Sequence, residues 1–224
     1  MADQKPEIPE GYLGPQEKFK QLGLSTMTHP DPEITARDNH LEIKIQAKTH
    51  VRFTHQLVNC RTDKNMSQYV FAQMKEGVIH YLVHMPESDY YKLQLYALPA
   101  ADPSKSLPNV YNYLIRCTRA VQTVYPFPKQ YAEWKDGCYL YEPVVLHSNS
   151  NLTNINWQVH VPHAKAVAVV VGEEWFQFQH RGGPVWQAKL SLDQFRGQNT
   201  KVTLTANLEG GEESKYATLL EYHI

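Results

Sequence analysis

The stretch that decides the fold is LEIKIQA, residues 41–47, in which apolar side chains at odd positions alternate with polar side chains at even positions. Successive side chains of a β-strand point to opposite faces, so an alternation with a period of two is typical of a strand with one buried face. The pattern therefore predicts a strand whose odd-numbered side chains face a core.

Runs with the same alternation follow along the rest of the chain, separated by turn residues such as Pro, Gly, Asp and Asn. They are residues 79–85, 91–97, 111–117, 155–161, 186–192, 202–208 and 216–222. Residues 166–171, AVAVVV, are apolar on both faces, which is typical of a central strand. Short strands at this spacing favour an all-β protein built as an antiparallel β-sandwich.

The two halves of the chain carry matching runs in the same order. YKLQLYA (91–97) matches KVTLTAN (201–207), NVYNYLIRC (109–117) matches SKYATLLEY (214–222), and VRFTHQL (51–57) matches INWQVHV (155–161). Because the offset between the partners is nearly constant, the matches predict a duplicated β-domain of about 100 residues.

We therefore divide the chain into a polar, Pro-containing, partly mobile lead at 1–37, a first β-sandwich at 38–120 and a second at 121–224. The segment between the halves contains two prolines and lacks Gly and Ser, so we expect a stiff junction rather than a flexible linker. Its aromatic residues Tyr125, Phe127 and Trp134 are candidates for packing at the junction or for binding a partner.

Composition limits the class of partner. The 22 Lys and Arg residues balance 23 Asp and Glu residues, so the chain lacks the basic excess that binds nucleic acid or an anionic membrane surface. The longest apolar run is far shorter than the roughly 20 residues of a membrane-spanning helix. The N-terminus has no apolar signal-peptide core. We expect a cytoplasmic protein that binds neither nucleic acid nor a membrane.

The three cysteines, Cys60, Cys117 and Cys138, do not predict a disulfide. Cys60 and Cys117 are spaced about as the inter-sheet pair of an immunoglobulin domain, but the Trp that accompanies that pair is missing, because all four Trp lie beyond residue 130. Thiols also stay reduced in the cytosol.

The sequence does not contain a pattern typical of an enzyme or a metal centre. His80 and His84 lie on a predicted strand, where they would be roughly 13 Å apart on one face, too far for one ion. No cysteine has a neighbouring base, and nucleophile, zinc and phosphate-loop motifs are absent. We predict no catalytic, metal-binding or cofactor-binding residue, and no cofactor.

The four tryptophans fall into two groups. Trp157 and Trp186 are in phase with apolar residues and are expected in the core. Trp175 follows two glutamates at a predicted strand start and, with Trp134, is a candidate interaction residue. Exposed coplanar aromatic rings would make a sugar-binding platform, so a carbohydrate-binding β-sandwich stays an alternative.

The second half also carries a recognisable family pattern. Its parts are YPFPKQYAEW (125–134), CYL (138–140), VPHA (161–164), the strand 166–171 before Trp175, and YATLLEY (216–222). This pattern resembles the immunoglobulin-like modules in the C-terminal part of the kyphoscoliosis peptidase (KY) and hillarin family. The first half, with EGYLGPQEKFKQLGL at 10–24, looks like a more divergent copy. The resemblance implies two tandem immunoglobulin-like sandwiches.

Members of that family are similar in having a transglutaminase-like Cys-His-Asp core upstream of these modules. Because none of the three cysteines matches a position of that triad, the resemblance implies no enzymatic activity for this chain. It implies instead a pair of modules for protein–protein interaction or cytoskeletal scaffolding, with cytoskeletal partners in the cytoplasm. An accessory or regulatory tail of a transglutaminase-like peptidase is the second hypothesis, and the carbohydrate-binding sandwich is the third.

Overall fold

The computed structural model describes residues 4–224, and its elements confirm the all-β prediction. The chain divides into two compact units, one that ends at Pro126 and one that comprises Phe127–Ile224. No helix among the described residues is long and apolar enough to cross a membrane.

The described part of the first unit contains nine strands and one short α-helix. They are β1 (Gly14–Pro15), α1 (Glu17–Gln21), β2 (Leu24–Thr26), β3 (Glu33–Ala36), β4 (His40–Ala47), β5 (Val51–Asn59), β6 (Val70–Lys75), β7 (Val78–His84), β8 (Tyr90–Pro99) and β9 (Asn109–Cys117). One sheet has the order β2-β4-β7-β6, and the other has the order β1-β9-β8-β5 with β3 parallel to β9. These orders correspond to the ABED and CFG sheets of an immunoglobulin sandwich.

The core of the first unit follows the alternation read from the sequence. Ile43, Ile45 and Ala47 of β4 are buried, and so are the residues predicted to face inward at 79–85, 91–97 and 111–117. The polar residues between them lie on the outer faces. The period-two prediction is therefore confirmed for these strands.

Tyr91, at the start of β8, closes the corner between β7 and β8. Its hydroxyl donates to the Glu87 carbonyl at 2.8 Å and accepts from the Glu87 N–H at 3.1 Å. A tyrosine bonded in this way to upstream backbone, two residues before the second inter-sheet cysteine, is characteristic of immunoglobulin sandwiches. Buried Leu93 takes the place of that cysteine, so apolar packing replaces the inter-sheet disulfide here. Cys60, Cys117 and Cys138 are free thiols.

The structure differs from the sequence-based division at the lead. Strands β1 and β3 pair with β9, and β2 pairs with β4, so the lead contributes to both sheets. The physical reason is apolar burial, because Phe19, Leu24 and Ile34 belong to the first core and Phe19 packs edge-on against Tyr111 at 5.1 Å. Residues 1–3, for which mobility was also predicted, lie outside the described residues.

The residues after β9 remain hydrogen-bonded to the first unit. Buried Asn39 accepts from the Gln122 N–H at 3.0 Å and donates to the Gln122 carbonyl at 3.0 Å and to the Met85 carbonyl at 2.8 Å. These hydrogen bonds hold Gln122 beside the end of β7. The boundary predicted from the sequence falls between 120 and 121, before Gln122. The compact units of the structure are instead divided between Pro126 and Phe127.

The described part of the second unit contains nine strands. They are β10 (Lys129–Gln130), β11 (Tyr139–Glu142), β12 (Ile155–His160), β13 (Ala164–Val171), β14 (Glu174–Gln177), β15 (Gln179–His180), β16 (Val185–Leu190), β17 (Lys201–Leu208) and β18 (Ala217–His223). Their sheets have the orders β11-β12-β16-β15 and β10-β18-β17-β13-β14. As predicted for the apolar run, β13 lies inside its sheet, and Val167, Ala168 and Val169 are fully buried.

The strand orders of the two units correspond, which tests the matches between the halves. The series β9-β8-β5 corresponds to β18-β17-β13, and β4-β7-β6 corresponds to β12-β16-β15. The strands that contain 91–97 and 201–207 therefore correspond, and so do those that contain 109–117 and 214–222. The residue-by-residue match of 91–97 with 201–207 is out of phase by one position, because Tyr91 and Leu93 are buried whereas Lys201 and Thr203 are not. The match of 51–57 with 155–161 is wrong, because β5 corresponds to β13, and β12 corresponds to β4. Period-two patterns align equally well between neighbouring strands, so the alternation alone could not identify the right partner.

The tryptophans predicted in the core are buried. Trp157 is 1% exposed, and its ring lies edge-on to Tyr222 at 5.3 Å and to Phe178 at 5.9 Å. Trp186 is 6% exposed, and the ring of His180 lies 4.6 Å from it. Trp157 thus connects β12 of one sheet with β18 of the other.

We expect Trp157→Ala and Trp186→Ala each to lower the free energy of unfolding of the second unit by about 3–5 kcal/mol, because each leaves a cavity where a buried ring was. Denaturant unfolding of the full chain measures this loss. Trp175→Ala, at a half-exposed ring, is the matched control and should cost no more than about 1.5 kcal/mol. A loss below about 1 kcal/mol at both buried positions would show that these rings do not hold the core together.

Candidate functional site

The cysteines and histidines do not assemble into a reactive site. Among residues 4–224, no group of three or more His, Cys, Asp or Glu side chains is placed to hold a metal ion. Burial raises the pKa of the Cys60 and Cys117 thiols, and it raises the pKa of Cys138 to about 12. A nucleophilic cysteine requires the opposite shift, because the thiolate is the reactive form.

The two histidines of the predicted strand lie on β7, and the second contacts another histidine. The rings of His84 and His40 meet edge-on with centroids 4.8 Å apart. Burial, helped by repulsion from His40, lowers the pKa of His84 to about 4. The His84 ring is therefore uncharged near neutral pH, and its contact with His40 is one of packing.

The four aromatic residues singled out in the sequence do not share one surface. Phe127 and Trp134 are buried, so their rings offer no area to a partner. Tyr125 is half-buried in the last residues of the first unit. Trp175 is 49% exposed on β14 of the second unit, and it is the candidate whose ring is available for binding.

Trp175 lies on the edge of its sheet. Strand β14 pairs with β13, and no other strand among the described residues pairs with β14. The Phe178 N–H donates to the Val167 carbonyl at 2.8 Å, so the even-numbered residues of this segment direct their backbone groups to β13. The N–H and C=O groups of Trp175 and Gln177 consequently point to the open edge.

The ring of Trp175 packs against the ring of Tyr216. The two ring centroids are 4.9 Å apart and the planes are 71° apart, which is an edge-to-face contact. Ala168 and Thr205 are paired on the same outer face as Trp175, and both are buried. The residue paired directly with Trp175 is Val170, and about half of Trp175 remains exposed to solvent.

The sequence did not predict that Tyr216 lies on the outer face of the sheet beside Trp175. The alternation in YATLLEY put Tyr216 in phase with inward-facing Leu220 and Tyr222, and this prediction is wrong. The pairing of β17 with β18 shifts between Leu204 and Thr205, so Leu219 and Leu220 are both buried and the alternation changes phase. This irregularity turns Tyr216 to the outer face, where it meets Trp175.

Negative charge flanks Trp175 at the turn before β14. Glu173 and Glu174 are exposed, and neither forms an ion pair within the described part of the chain. Their carboxylates are therefore available to a partner that binds beside the open edge. Charged side chains at an edge strand also discourage unspecific strand pairing.

A carboxylate with a strongly lowered pKa lies near the opposite edge of the same sheet, on β18. Glu221 of β18 accepts a hydrogen bond from the Tyr131 hydroxyl at 2.7 Å, and Lys201 and His223 lie 3.4 and 2.8 Å away. The Tyr131 hydrogen bond is the largest cause that lowers the pKa of Glu221 to about 2, against the opposing effect of burial. Glu221 thereby fixes the residues after β10 against β18.

Comparison with known proteins identifies relatives along the whole chain. The family model described as "KY-like, immunoglobulin-like domain" matches residues 6–128. Kyphoscoliosis peptidase of Homo sapiens is 22% identical over 229 residues, covering 100% of this chain and 33% of that protein. Kyphoscoliosis peptidase of Mus musculus is 22% identical over 217 residues, covering 95% of this chain and 31% of that protein. The chain thus spans about a third of the length of these curated relatives.

Among solved structures, similar chains include tandem immunoglobulin domains of titin. A chimeric titin Z1Z2-Z1Z2 tandem has 8% identity and a TM-score of 0.26, covering 89% of this chain and 97% of that one. A variant of titin domains I67–I69 has 10% identity and a TM-score of 0.28, covering 89% of this chain and 64% of that one. The immunoglobulin-like assignment of each unit rests on its strand order.

Glu221 predicts a pH dependence of stability. Since its pKa is lowered in the folded chain, its contribution to stability is present above the ordinary value of 4.5 and is lost as the pH falls toward about 2. We expect Glu221→Gln to destabilise the second unit near neutral pH by about 1–3 kcal/mol, and the difference from wild type to shrink across this window. Urea unfolding of the wild-type chain and of the variant, from neutral pH down to about 2, measures this difference in the free energy of unfolding.

The matched control for this prediction is Glu174→Gln, which removes an exposed carboxylate without an ion pair. It should leave the pH dependence of unfolding unchanged. If Glu221→Gln followed the wild-type curve at every pH, the interaction of Glu221 with Tyr131 would not contribute to stability.

Proposed function

This chain belongs to the family of KY-like, immunoglobulin-like domains, and on that premise we propose that it is a non-enzymatic protein-interaction module. Its second unit binds a protein partner through the outer face around Trp175. One observation carries this proposal: Trp175 is 49% exposed, whereas the other three tryptophans are buried. Tryptophan is enriched among the residues that dominate binding energy at protein interfaces.

The surroundings of Trp175 support a protein as the partner. The open edge of β14 offers backbone donors and acceptors to an extended segment, and the indole offers apolar area beside them. The planes of Trp175 and Tyr216 are 71° apart, so the pair is not a flat platform on which a sugar ring would stack. The carbohydrate-binding alternative therefore lacks the coplanar aromatic rings that it requires.

The proposal extends to the kind of partner and its location. The family resemblance supports a scaffolding role in the cytoplasm with a cytoskeletal protein bound to the module. The raised pKa values of the three thiols support a role without cysteine-dependent catalysis. The exposed glutamates beside Trp175 favour a partner segment with basic residues.

The test is binding of cytoskeletal proteins to the immobilised full chain, followed by measurement of the dissociation constant of each retained protein. We expect Trp175→Ala to weaken the specific partner at least tenfold, because a central aromatic anchor is lost. Lys64→Ala, an exposed change in the first unit, is the control and should bind as wild type does. Equal binding by Trp175→Ala and wild type would refute this face as the binding site.

A second candidate is an accessory module of a longer peptidase-like polypeptide. The observation in its favour is the similarity along the whole chain to relatives of which the chain covers about a third. The native size of the protein, measured by immunoblot with an antibody to residues 125–224, tests it. A band tens of kilodaltons above 25.8 kDa supports the accessory role, whereas a single band near 25.8 kDa contradicts it.

A further inference from the structure

The second unit carries a groove on the sheet that does not contain Trp175. It lies on the outer face of the sheet β11-β12-β16-β15 and has a volume of about 440 Å³. Its lining is dominated by side-chain amides, together with Arg181, Lys189 and Glu142. We call it the glutamine groove. Gln177, two residues after Trp175 on β14, also lines the groove. Binding in this groove is inferred from the groove itself and not from the function proposed for Trp175.

The strand register aligns the polar side chains of the groove in one row. Gln179 is paired with Gln187, Gln187 with Gln158, and Gln158 with Glu142. Neighbouring strands are about 4.8 Å apart, so the row presents one polar side chain at each of four successive strand positions. The three amides of this row offer several hydrogen-bond donors and acceptors on one face of the sheet.

A chain of hydrogen bonds fixes the orientation of this row. The Arg181 guanidinium donates through Nε to Oε1 of Gln187 at 3.1 Å, and Gln187 donates through Nε2 to Oε1 of Gln158 at 3.2 Å. The amide planes are thereby held, and the Nε2 group of Gln158 is left as a donor at the end of the chain. Preorganised polar groups lose less entropy when a ligand binds.

Several other groups of the groove have no partner in the described part of the chain. The side chains of Asn156, Gln177, Gln179 and Lys189 form no hydrogen bond or ion pair there. Arg181 and Lys189 place two positive charges in the groove against the single carboxylate of Glu142. The groove therefore combines exposed amides that have no protein partner among the described residues with an excess of positive charge.

This chemistry excludes several ligand classes. One carboxylate without histidine or cysteine does not make a metal site. Two cations are too few for the phosphate contacts that give nucleic acids their affinity. The rings of Trp157 and Trp186 are buried in the core, so the groove has no aromatic platform for a sugar.

We infer that the glutamine groove binds an extended, acidic peptide segment of a protein partner. The amides of Gln158, Gln187 and Gln179 pair with main-chain N–H and C=O groups of the segment, because an amide side chain has the same donor and acceptor as a peptide bond. Arg181 and Lys189 pair with a carboxylate of the segment.

The test is NMR titration of the ¹⁵N-labelled full chain with three probes at millimolar concentration. They are a capped hexapeptide of alternating Glu and Val, the same peptide with Lys in place of Glu, and maltohexaose. We expect the acidic peptide alone to shift the side-chain amide signals of Gln158 and Gln187 in a saturable manner. The absence of such shifts, or equal shifts with the basic peptide or the sugar, would overturn the inference.

Variants make the test specific to the groove. Arg181→Ala combined with Lys189→Ala should weaken binding of the acidic peptide at least tenfold. Lys165→Ala combined with Lys215→Ala removes the same charge elsewhere in the second unit, and it should leave the affinity within twofold of wild type. If both double variants bound equally well, the peptide would be attracted by net charge and not by the groove.

Discussion

The arrangement of the second unit depends on the packing of Phe178 against Trp157. Phe178 is the single residue between β14 and β15, and at this point the chain leaves one sheet and enters the other. Its N–H is bonded to Val167 of the first of these sheets, and its ring lies 5.9 Å from Trp157, which belongs to the second. Because Phe178 is buried between the sheets, Trp175 must lie on one outer face, and Gln179 on the other.

The unpaired edge of β14 next to Trp175 favours aggregation, and two features of the chain counteract it. An unpaired edge strand offers hydrogen bonds to any extended chain, and unspecific pairing leads to aggregation. Strand β14 is only four residues long and begins at Glu174, next to Glu173. Both carboxylates are exposed and disfavour pairing with an acidic strand. An exposed indole is tolerated there because Tyr216 covers one side of it.

The sequence predicted the strands well where one face is buried, since apolar burial and the period of two are local properties. It identified β4, β7 and β8, as well as the burial of Trp157 and Trp186. It missed β1 to β3, which are only two to four residues long and therefore too short to show an alternation. It also placed Tyr216 inward, because a shift in pairing depends on the partner strand and cannot be read from one strand alone.

The binding role proposed for the glutamine groove illustrates why function was harder to predict than fold. Gln158, Gln179 and Gln187 are separated in sequence, and each by itself is an ordinary outward-facing residue of an alternating strand. Only the register brings them into one row, and register is a property of the paired strands. A catalytic site concentrates rare residue types and leaves a motif, whereas an interaction surface is made of common residues in a particular alignment. For a module of this kind, the chemistry of binding is therefore visible in the pairing of strands and not in the linear sequence.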